Sequence, residues 1–156
     1  MSFLGTPPSP AAADEPTLTN NGWFPDIDLA DLRKTVRLDG TVTSERLRHA
    51  ALDAMGSVNA ELASYQEAQQ YAGHASLAKV PAAALNGESV KLQCYRRAVY
   101  AGVQASLVEA YRDFDTTGAG DKAAEKLELR LDGLRRDVRW AIADLVGRRR
   151  TTVELI

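Results

Sequence analysis

The chain has almost no cysteine: one thiol, Cys94, in 156 residues. A single thiol cannot close an internal disulfide or supply a multi-cysteine zinc site. Its plain reading is a small buried apolar side chain in a reducing compartment. Histidine is nearly as scarce, and His49 and His74 lie on different segments without metal-ligand spacing. No apolar run approaches the ~18–20 residues that a membrane span needs. The opening MSFLGTPPSPAAADEP lacks the basic and apolar regions of a secretory signal. The expectation is a protein made and used inside a cell, with no membrane partner. A large excess of one charge is also missing. The formal net charge is −2, so no global field draws the chain to nucleic acid or anionic lipid. Signatures of catalysis are missing too: no nucleophile elbow, no P-loop and no helical histidine–glutamate zinc motif. The chain is expected not to be an enzyme and to need no cofactor and no metal.

What is there is helix. The length suits one domain, and 45% apolar with 26% charged residues is ordinary for a globular chain. Residues 1–22, rich in Pro, Ala, Ser, Thr, Asn and Gly, hold few large apolar groups after Leu4 and read as a flexible arm. Trp23, Phe24 and Ile27 then supply anchors, with Pro25 holding the stretch extended. Asp26 or Asp28 suits the N-cap of a short helix over about 28–38, with Leu29, Leu32, Val36 and Leu38 near one side. Thr43 or Ser44 caps a second helix reaching about residue 72 before Gly73, striped by Leu47, Ala51, Ala54, Val58, Leu62 and Tyr65. Residues 73–87, with Pro81 and Asn86-Gly87, form a connection that packs through Leu77, Val80 and Leu85. A third helix covers about 88–114 on Tyr95, Val99, Val103, Leu107, Ala110 and Phe114, with Tyr111 beside them and Gly102 permitting close helix approach. After a turn at 115–121, a fourth covers about 121–146 on Leu127, Leu131, Leu134, Val138, Ala141 and Leu145, stopped by Gly147. The fold class is all-α: a small bundle of about four helices over 23–147, between an N-terminal arm (1–22) and an extended C-terminal tail (148–156).

Two acidic features have structural explanations. The turn from Asp113 to Gly118 faintly resembles a calcium loop, but its twelfth position is Ala124 rather than a bidentate glutamate. Asp26 and Asp28 are explained by capping. The arginines weigh more. Arg130, Arg135, Arg136, Arg139, Arg148, Arg149 and Arg150 concentrate near the C-terminus, but Asp132, Asp137 and Asp144 are interspersed and dilute any field that phosphates would feel. Trp140 does not repeat, so there is no stacking ladder for single strands. Arg148–Arg150 suit a helix C-terminus, where the dipole is negative. They also suit the root of an arm, because arginine forks onto carboxylates and the following Thr151, Thr152, Val153, Glu154, Leu155 and Ile156 are β-prone and apolar. Such a segment adds to a sheet edge or enters a groove. A protein junction therefore ranks above a helical nucleic-acid-binding or packaging-associated regulatory domain, which stands as the alternative.

Several stretches together resemble a known family: FPDID (24–28), ERLRHAALDAMGSVNAEL (45–62), LAKVPAAALNGESVKLQCYRRAVY (77–100), ASLVEAYRDFD (105–115), GDKAAEKLE (120–128) and RRDVRWAIADLVGRRRTTVELI (135–156). Their order and spacing over residues 23–156 are similar to the head completion (gpL) family of temperate contractile-tailed phages. The resemblance implies a non-enzymatic virion protein of the head–tail connector, assembled in the host cytoplasm. It implies a ring, expected to be dodecameric, beneath the portal protein after DNA packaging, which stabilises the filled head and offers a platform to a tail terminator or tail-completion protein. Packaged DNA would pass nearby without sequence-specific binding. Arg148, Arg149, Arg150, Thr151, Thr152, Val153, Glu154, Leu155 and Ile156 occupy the position that such adaptors commonly extend into the portal.

Overall fold

The computed structural model describes residues 15–112 and 121–150. A two-residue strand β1 (Thr17–Leu18) pairs antiparallel with β2 (Ile27–Asp28), which runs into helix α1 (Leu29–Thr35). Then come α2 (Ser44–Glu61), α3 (Ala63–Tyr71), a 3-10 turn (Leu77–Lys79), the hairpin β3 (Ala84–Leu85) and β4 (Glu88–Ser89), α4 (Val90–Arg112) and α5 (Asp121–Val146). The molecule is predominantly helical. Helix α4 is central, packed between α2 and α5.

The helices begin and end where side-chain chemistry dictates. Asp28 caps α1, its Oδ1 accepting from Ala30 N at 2.8 Å and Asp31 N at 3.1 Å. Thr43 caps α2 by accepting from Arg46 N. Helix α3 ends in a Schellman turn: His74 N donates to Gln69 O and Gly73 N to Gln70 O, with Gly73 at φ +93°. Helix α5 ends the same way at Gly147, φ +78°, through Arg148 N to Ala143 O and Gly147 N to Asp144 O. Helix α1 repeats the motif with Arg37 in the left-handed position, φ +55°, where glycine is the usual residue.

The main core contains the expected anchors Trp23, Phe24 and Ile27 and the stripes Leu47, Ala51, Ala54, Val58, Leu62 and Tyr95, Val99, Val103, Leu107, closed by Ala141, Ile142 and Leu145. Trp23 and Phe24 meet edge to face and Phe24 stacks on Tyr95. Gly102 serves the close approach expected of it. A β-carbon there would stand 3.3 Å from the Ala54 side chain, so α2 and α4 touch nearly backbone to backbone. A smaller cluster of Ala105, Val108 and Leu131, flanked by Leu127 and Leu134, holds the far ends of α4 and α5 together.

Three expectations need correction. The second helix does not run unbroken to residue 72. It bends at Leu62 (φ −92°, ψ 3°) into α3, which has no buried residue, so two helices stand where one was expected. The bend comes where the core ends: Leu62 is fully buried, and its carbonyl still accepts from Gln66 N. Residues 15–22 are packed against the bundle rather than part of an arm. Leu18 is buried. Asn20 donates to the Tyr95 hydroxyl at 2.7 Å and accepts from Asn59 Nδ2 at 2.8 Å, while Tyr95 donates to Asn59 Oδ1, closing a three-membered ring of hydrogen bonds. Leu85 does not pack. It is 59% exposed beside a turn whose two central residues, Asn86 (φ 52°) and Gly87 (φ 75°), match a type I′ hairpin. Residues 1–14, the Asp113–Gly120 turn with Phe114, and the Thr151–Ile156 segment lie outside the described residues.

Candidate functional site at the end of the last helix

Of the sequence-predicted site residues, the structure describes Arg148, Arg149 and Arg150, and it separates their roles. Arg148 closes the Schellman turn through its backbone. Arg149 is exposed. Arg150 folds back along α5: its Nε donates to Asp144 Oδ1 at 3.0 Å and its Nη2 to Oδ2 at 2.6 Å, a two-pronged pairing. The same carboxylate receives Arg97 Nη2 from α4 at 2.6 Å. Two guanidiniums on one carboxylate hold its pKa down to about 2: the Arg150 hydrogen bonds are the largest cause, burial pushes back upward, and Arg97 adds a further lowering.

An aromatic ring underlies this latch. The Arg150 guanidinium lies 5.0 Å from the centre of the Trp140 ring, and that of Arg136 lies 4.7 Å from it. Trp140, Arg150, Arg96, Arg97 and Tyr100 help to line a groove of about 650 Å³ between α1, α4 and α5. The Tyr100 hydroxyl donates to Asp31 at 2.6 Å across its wall, and burial together with that carboxylate pushes the phenol well above its usual pKa. Arg96 pairs with Glu88. The cations facing the groove are therefore largely committed to carboxylates of the same chain.

The end of α5 is held from below as well. Lys91, at the start of α4, donates to the Leu145 carbonyl at 2.6 Å. That carbonyl is one of the last in the helix, where the negative end of the dipole favours a cation. Lys91 Nζ also lies 5.3 Å from the Tyr65 ring centre. The exit of the C-terminal segment is thus fixed by a backbone turn, a lysine and an arginine–carboxylate latch. Sequence reasoning singled out the arginines but missed Asp144, Arg97 and Lys91. Arg150 and Asp144 are six residues apart and meet only because the turn at Gly147 reverses the chain. Arg97 and Lys91 come from another helix.

Among the described residues no group of three or more His, Cys, Asp and Glu side chains is placed to hold a metal ion, and no helix is long and apolar enough to cross a membrane. Cys94 is buried, which raises its thiol pKa and lowers its reactivity.

The sequence model of the family described as phage head completion protein (GPL) matches residues 18–156. The chain is 45% identical over 149 residues to the head completion/stabilization protein of Escherichia phage P2, covering 96% of this chain and 88% of that one. It is 24% identical over 98 residues to the probable head completion/stabilization protein of Haemophilus phage HP1 (strain HP1c1), covering 63% and 65%. No solved structure matches. From the helix stripes through the arginine-braced exit, the chain belongs to the phage head completion protein family.

Proposed function

We propose that the chain is a structural virion protein that completes the DNA-filled phage head. In this reading it assembles as a ring, twelve copies to match a twelvefold portal, beneath the portal protein after packaging. It stabilises the filled head and presents a platform to the tail terminator or tail-completion protein. Residues Arg148–Ile156 are the portal-binding segment. Family membership supports the head-completion role. The observation that carries the rest is the braced exit. Asp144 holds Arg150, the last described residue, against α5. A short apolar segment leaving a fixed point loses less freedom on docking than one leaving a loose end. Lateral contact between copies then raises the effective concentration of each segment at its site.

Truncation after Gly147 and scrambling of 151–156 test this separately. Both variants are expected to stay helical by circular dichroism and to lose association with portal-bearing heads. Undiminished association of the scrambled variant contradicts the assignment.

A further inference from the structure

Two exposed faces of this chain have complementary character and lie on separate flanks of α4, one on α2–α3 and one on α5. Helix α3 buries no residue of its own. Its last residue, Tyr71, is 97% exposed, and Leu52 on α2 is 41% exposed. The stretch from His49 to Ala78 contains no lysine or arginine, while Asp53, Glu61 and Glu67 are all exposed. Between the acids the surface is smooth, with Gly56, Ser57, Ala60 and Ser64 outward. On the other flank, Leu129, Asp132, Arg135, Arg136 and Arg139 ring a shallow depression at Gly133 on α5. Leu129 is 73% exposed, and a side chain at Gly133 would meet nothing within 4 Å.

We propose that the α5 face of one copy docks on the α2–α3 face of a second copy. This rests on the ring reading above and names the surfaces that make the ring. The occupant follows from charge and shape together. A basic rim around an exposed leucine and a shallow hollow matches an acidic, small-residue face bearing an exposed tyrosine. Aromatic and arginine side chains are enriched at interface cores. The two faces differ, so the contact is heterologous. Each copy keeps one face of each kind open until the chain of contacts closes, as a ring requires. Charge complementarity of this sort sets register and speeds encounter, and it weakens with salt.

The test uses the full chain and sedimentation velocity at low salt. One variant reverses the α5 rim at its edge (Arg139→Glu), leaving Arg135 with its partner Glu109 and Arg136 on the Trp140 ring. A second reverses the other face (Glu61→Arg, Glu67→Arg). The wild type is expected to self-associate, and each variant alone to do so at least about tenfold more weakly. The equimolar mixture, and the chain carrying all three changes, should recover. A wild type that stays monomeric as concentration rises overturns the proposal. So does either variant associating normally, or no recovery in folded combined variants. Head attachment, scored in parallel, separates the two readings. Variants that self-associate normally yet fall from heads assign these faces to the head and overturn the copy-to-copy contact while leaving the structural role standing.

Discussion

At the scale of single residues, Asp144 does the most with the least. It ties two helices and the exit of the C-terminal segment through one carboxylate. Its pKa is depressed to about 2, against about 3.9 for a free aspartate. The latch therefore contributes fully above about pH 4 and is lost as pH falls through about 2. The Trp140 indole resonance is expected to stay constant from pH 7 to about 4 and to shift below that. In Asp144→Asn it should already be displaced at pH 7. Glu15 and Arg33 make a second pairing, almost fully out of water, with Nη2–Oε1 at 2.5 Å and Ser44 Oγ also donating to Oε1. Glu15→Ala leaves the guanidinium buried without its charge partner and should cost about 3 kcal/mol in denaturant unfolding. Arg37 works the other way. It holds a left-handed conformation that costs a non-glycine residue about 1–2 kcal/mol, and Arg37→Gly should raise stability by about 0.5–1 kcal/mol, net of glycine's greater unfolded freedom.

At the scale of elements, packing of α2 on α4 depends on the missing side chain at Gly102. Gly102→Leu should destabilise by about 1–3 kcal/mol, read as a lower denaturant midpoint, because its β-carbon alone would stand 3.3 Å from the Ala54 methyl, which has no rotamer to swing away, and the rest of the side chain overfills the α2–α4 contact. That close approach was legible in the sequence, as were the stops at Gly73 and Gly147 and, to within a choice of Asp26 or Asp28 and of Thr43 or Ser44, the caps that the structure gives to Asp28 and Thr43. Each is written in one or two adjacent residues. The α2–α3 bend was not legible. Leu62 and Tyr65 continue the helical stripe, and only the edge of the core decides that α3, past the half-buried Tyr65, buries no residue fully. The docking of residues 15–22 was hidden for a related reason. Their composition resembles an arm, and what orders them is a polar ring to Asn59 and Tyr95, far along the chain. The candidate site divided the same way: the arginine run stood out by composition, while the role of Asp144 emerged only with the turn at Gly147, and those of Arg97 and Lys91 only once α4 lay beside α5.

At the scale of the whole molecule, several arginines of the small bundle are tied down within the chain, while Arg136 and Arg139 stand outward on α5. Arg33, Arg96, Arg97, Arg135 and Arg150 each pair with a carboxylate of the same chain. On the proposed reading, in which the chain acts as a structural part and not a nucleic-acid reader, it should bind duplex weakly. A titration against salt is expected to show low affinity without base preference, whereas tight binding with a steep salt slope would favour a nucleic-acid reader. The central claim, that the protein finishes the head at the vertex where DNA entered, is tested most directly by electron microscopy of DNA-filled heads made with and without it. The account predicts a symmetric collar of density beneath the portal that disappears, with loss of retained DNA, when the protein is omitted. Filled heads that remain unchanged without it, or density for it elsewhere on the particle, would contradict the account.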